Sequence, residues 1–68
     1  MNRAPGAREG WQTAKINNDL THAHRLIMEA AQGPSEALLR GKASRAKLAE
    51  SAANLRHALT LIDGVLNA

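Results

Sequence analysis

The sequence predicts an all-α fold: an antiparallel two-helix hairpin that dimerises into a four-helix bundle. Three observations lead there. Leu48, Ala52, Leu55, Leu59, Ile62 and Leu66 recur at alternating steps of four and three, the rhythm of a helix that buries a narrow seam against another helix. Ile16, Leu20, Ala23, Ile27 and Ala30 repeat that rhythm earlier in the chain. Between the two stripes stands Gly33-Pro34-Ser35, a strong break in helical sequence. β-branched residues are few and never alternate at period two, which argues against a sheet.

The segment 1–10, with Pro5, Gly6 and Gly10 and no apolar period, reads as a flexible tail. Residues 11 to about 32 read as the first helix, with Ile16, Leu20, Ala23, Ile27, Ala30 and Ala31 on one face and Lys15, His22, Arg25 and Glu29 across from it. Thr13 and Gly10 compete as its cap. Lys15 with Asp19 and Arg25 with Glu29 are i,i+4 pairs. Trp11, the only aromatic residue, falls off the stripe and is read as packing over a helix end.

The turn is placed at 33–35. Gly33 is expected at positive φ, the left-handed position that ends a helix, with reversal between Gln32 and Ser35. Ser35 is the expected cap of a second helix running to about residue 66. Continuing the heptad backward from Leu48 puts Arg45 and Gly41 on the seam, so the contact weakens in that half. Leu55, Leu59, Ile62 and Leu66 are then buried within the chain, and Leu61 or Val65 is covered only by a second subunit. The full core and dimer set is Ile16, Leu20, Ile27, Leu48, Leu55, Leu59, Leu61, Ile62, Val65 and Leu66. A second stripe, Leu39, Ala43, Ala46, Ala49 and Ala53, lies on another face and calls for another helix. One short neighbour cannot cover both, hence the homodimer.

At 68 residues the chain has room for one domain with a modest core. With no cysteine there is neither a disulfide nor a thiolate metal site. The three histidines, His22, His24 and His57, form no i,i+4 pair and no HExxH, so no metal and no cofactor is expected. No nucleophile elbow or glycine-rich phosphate loop occurs, the carboxylates are scattered, and a thin aliphatic core leaves no room for a substrate pocket. The expectation is a protein without catalytic residues. No apolar run approaches a membrane span and the polar beginning of the sequence does not resemble a secretory signal, so the expected compartment is the cytoplasm, with no membrane partner.

A net charge of +3 biases the chain mildly toward acidic partners. The cations concentrate in the basic run Arg40, Lys42, Arg45 and Lys47, interleaved with Ala43 and Ala46 and preceded by Leu38 and Leu39. These eight residues are the predicted partner-binding surface: small residues allow close approach, and cations steer an acidic or amphipathic protein surface into register. Glu36 is placed to pair with Arg40, and Lys47 with Glu50. A basic run ahead of a leucine heptad resembles the layout of basic-zipper DNA binders. The zipper here is short, the basic segment has no asparagine to read bases, and a helix precedes it. The function read from the sequence is a small regulatory or inhibitory protein that binds another protein through a helical surface. The alternative is a dimeric nucleic-acid binder using residues 40–47.

Overall fold

The computed structural model describes the backbone of residues 5–67 and the side chains of residues 13–67. It is all-helical, with α1 spanning Pro5–Ala30, α2 Gln32–Arg40 and α3 Arg45–Leu66, and no strand occurs among the described residues. The molecule is a rod of 58 × 16 × 13 Å. α1 and α2 together account for its length, since the 36 residues from Pro5 to Arg40 at a rise of 1.5 Å each come to about 54 Å. α3 folds back along them, packing mainly on α1 and, near the turn, on α2.

The break at Gly33-Pro34-Ser35 is not the turn. The chain continues helically across it, with Ala31 N–H donating to the Ile27 carbonyl and Ser35 N–H to the Ala31 carbonyl, both at 3.0 Å. Pro34 has no N–H to offer Ala30, which interrupts the ladder at Ala31 and separates α1 from α2. In the first turn of α2 that missing donor would have had no helical acceptor within α2, so proline is tolerated there. Gly33 is helical and buried. A Cβ on it would overlap the Ser51 Oγ and lie 3.0 Å from the Lys47 carbonyl oxygen. Its glycine serves the close approach of α3 rather than a left-handed turn.

The reversal comes at Gly41–Ser44. Gly41 has φ 74° and ψ 14°, the only positive-φ glycine among the described residues, and its N–H donates to the Ala37 carbonyl at 2.9 Å. That geometry closes a helix in the left-handed region, which glycine enters without steric cost. Ser44, not Ser35, caps the returning helix: its backbone is extended and its Oγ accepts from the Lys47 N–H at 3.3 Å. The expected second helix from 35 to 66 is therefore two helices pointing opposite ways. At the other end, Pro5–Gly10 belongs to α1 rather than to a tail; Met1–Ala4 and the Trp11 side chain lie outside what the structure describes. Gly64 is interior to α3, with open space around it.

Along the contact line between the rods, the buried positions are all small residues. On α1 and α2 it follows Ile16, Asp19, Ala23, Leu26, Ala30, Gly33 and Ala37, all buried or half-buried. On α3 it follows Ser51, Asn54, Ala58, Leu61 and Val65. Ala23, Ala30 and Ala58 are the buried apolar residues, and no larger side chain is fully enclosed. The leucine heptad is rotated one residue away from this line. Leu55 is 48% exposed, Leu59 58% and Leu66 75%; Leu20, Ile27 and Leu48 are exposed too. The expected order is inverted for the leucines: Leu61 and Val65 are half-buried within the chain while Leu48, Leu55, Leu59 and Leu66 stay exposed, and Ala52 and Ile62 of the same stripe are half-buried. Alanine, glycine and serine let two helices approach more closely than leucine does, so a lone pair of rods closes on its small stripes.

Candidate protein-binding surface

Two surfaces stand out: the rod's tip, where the chain reverses, and one of its long sides. At the tip, Leu38 and Leu39 occupy the last turn of α2 and are each 84% exposed. The capping that ends α2 at Gly41 stops the helix immediately beyond them, so α3 returns without covering them. Arg40, Lys42, Ala43, Arg45 and Ala46 follow through the reversal, all exposed. Seven of the eight predicted partner-binding residues thus share the tip, and among the described residues its cations Arg40, Lys42 and Arg45 make no ion pair. They come from the end of α2, the loop and the first turn of α3, and not from one continuous helix.

Lys47 behaves differently. Its Nζ lies 2.6 Å from Glu36 Oε1, tying α3 to α2 across the turn. The hydrogen bond and charge of Lys47 hold the Glu36 carboxyl below its ordinary range, with Arg40 adding to the effect. The expected partners were Arg40 for Glu36 and Glu50 for Lys47. The reversal at Gly41 brings Lys47 back over α2 instead. Beside this ion pair, a shallow groove of about 250 Å³ is lined by Gly33, Glu36, Ala37, Arg40, Lys42, Ala43, Ser44 and Lys47. It is open and smaller than the ~300–1,000 Å³ usual for ligand pockets.

The two long sides of the rod differ in chemistry. On one, His22 and His57 meet edge to face with centroids 4.9 Å apart. Glu29, Gln32, Glu50 and Asn54 line a hollow further along the same side. Lys15 and Asp19 make the i,i+4 pair read from the sequence, at 3.0 Å. The opposite side carries the residues one step past the contact line: Leu20 and Ile27 from α1, and Leu48, Leu55 and Ile62 from α3, with Leu59 and Leu66 beyond them. This division is the signal that sequence reading passed over. Glu50 and His57 stand immediately before Ser51 and Ala58, and Leu48, Leu55 and Ile62 immediately after Lys47, Asn54 and Leu61.

Among the described residues, no group of three or more histidine or acidic side chains is arranged to hold a metal ion. None of the described helices is long and apolar enough to cross a membrane. Comparison with known proteins gives no match to a family, to a curated protein or to a solved structure.

Proposed function

We propose that this chain is a small non-catalytic regulatory or inhibitory protein of the cytoplasm, which binds another protein through its helical tip. It acts as an antiparallel helical hairpin joined to a second copy in a four-helix bundle. The observation that carries the reading is the pair Leu38 and Leu39, both 84% exposed and bordered by Arg40, Lys42 and Arg45. Adjacent leucines in open solvent contribute nothing to the fold and are the kind of apolar anchor that interfaces bury at their centre. The surrounding cations suit an acidic, amphipathic helical surface, whose carboxylates they would steer and orient. Lys47, already committed to Glu36, fixes the tip's shape rather than meeting the partner.

The test is the variant Arg40→Glu with Arg45→Glu. Both residues are exposed and neither lies on the contact line, so helical circular dichroism should match the wild type. Fluorescence anisotropy with an acidic amphipathic helical peptide should show binding to the wild type and at least a tenfold loss in the variant. Tight wild-type binding to duplex DNA at about 0.15 M salt, falling steeply as salt rises, would overturn the proposal in favour of phosphate recognition.

A further inference from the structure

We infer that the side of the rod opposite His22 and His57 is where a second copy of this chain docks. The inference rests on the dimeric reading above and assigns its interface. The residues are Leu20, Ile27, Leu48, Leu55, Leu59 and Leu66, each more than a third exposed. Their placement follows from the cross-helix contact of the histidines. His22 and His57 each stand one residue before a buried alanine, Ala23 and Ala58, and they touch. In two helices packed antiparallel, the residues that precede the contact line meet on one side and those that follow it meet on the other. Leu20 and Ile27 therefore share one side of the rod with the α3 leucines: the register set by His22 on His57 and Gly33 on Ser51 puts Ile27 opposite Leu55 and Leu20 opposite the Leu59–Ile62 turn, with Leu48 further along toward the reversal.

Two arguments select a second copy as the occupant. The first is area. With about half of each side chain exposed, the six carry on the order of 500 Å² of apolar surface, and a standard interface takes about 800 Å² from each partner. Ile62 and Ala52, half-buried on the same side, add to the patch. The second is charge. The acidic and basic pairs Lys15–Asp19 and Lys47–Glu36, together with Glu29 and Glu50, involve the contact line or the histidine side. Arg45 borders this side at Leu48, at its turn end, while the stripe's own positions from Leu48 to Leu66, Ala52 and Ile62 included, carry no charge that two facing copies would oppose. An uncharged apolar stripe is complementary to itself, as a two-fold interface requires. Docking in this way leaves the histidine side and the Leu38–Leu39 tip free.

Sedimentation equilibrium on the wild-type chain should give twice the 7.3 kDa monomer mass at micromolar concentration. Leu55→Glu should shift the dissociation constant at least a hundredfold, while Glu50→Lys on the other side should leave it within a factor of about three. A wild type that stays at 7.3 kDa into the high micromolar range would overturn the inference, as would a Leu55→Glu variant that remains dimeric. Should that variant unfold, oxidative footprinting of the wild type decides. Leu55 and Leu59 should be protected relative to Leu39 in the same sample, and equal reactivity would refute the assignment. None of these readings uses the tip, so failed peptide binding with intact dimerisation would sink the tip proposal alone.

Discussion

Replacing Gly33 by alanine puts the helix-approach argument at risk in a single substitution. On propensity alone, glycine to alanine inside a helix should stabilise by about 1 kcal/mol. At Gly33 the added Cβ would overlap the Ser51 Oγ and sit 3.0 Å from the Lys47 carbonyl oxygen. The hydroxyl can rotate, but the carbonyl belongs to the α3 backbone, so α2 and α3 must separate slightly. Overpacking of this kind costs about 1–3 kcal/mol, which cancels the propensity gain and adds up to ~2 kcal/mol of net destabilisation. Gly64 is the internal control: it is helical, and nothing lies within 4 Å of a Cβ placed there. Gly64→Ala should stabilise by about 0.5–1 kcal/mol. The measured quantity is the gap between the two variants in thermal melts at one protein concentration. For a chain of this size, 1 kcal/mol corresponds to a melting shift of roughly 4–8 °C. Adding Ser51→Gly to Gly33→Ala removes the hydroxyl from the clash and should narrow the gap more than Ser51→Gly changes the wild type. If Gly33→Ala and Gly64→Ala stabilise equally, the close approach of α3 at Gly33 is wrong.

Two further outcomes are expected. Gly41→Ala should destabilise by about 1–2 kcal/mol in urea titrations, because a Cβ strains the left-handed backbone although no neighbour obstructs it; an unchanged midpoint would move the reversal elsewhere. The Glu36 carboxyl, followed by its side-chain carbon resonance, should titrate below 4.5 and return toward that value in Lys47→Ala. Its folded value is depressed, so the contact's contribution is present above the unfolded value and is lost as pH falls through the lower folded one. Identical titrations in the two proteins would mean that the ion pair does not persist in solution.

The helical class was readable because both helix faces carry long, regular apolar periods and nothing alternates at period two. The location of the reversal was not. Gly33-Pro34 looks like a stop when proline is placed after a helix, yet proline is equally at home in a helix's first turn, where α2 has it. Only the neighbour of Gly33 distinguishes a glycine needed for its torsion from one needed for its lack of a side chain, and Ser51 is eighteen residues away. The leucine stripe was visible, but its partner was misassigned. Size ranks Leu48–Leu66 as the seam, whereas two lone helices close on Ala23, Ala30, Gly33, Ser51 and Ala58. The tip residues were legible as a basic, apolar segment. Their presentation around a bend, and the withdrawal of Lys47 into a contact with Glu36, followed from the reversal at Gly41.

An interior built from Ala23, Ala30 and Ala58 also shapes the calorimetry of the chain. The heat capacity and denaturant dependence of unfolding both scale with the surface newly exposed to water, and apolar surface dominates the former. A single rod hides little of it. Alone, it would melt over a wide temperature range, with a small heat-capacity step and a shallow urea slope. Covering the leucine side adds large aliphatic groups to what must be re-exposed, which sharpens the transition and makes its midpoint rise with protein concentration. The breadth of one melting curve thus reports whether a second layer was in place before heating began.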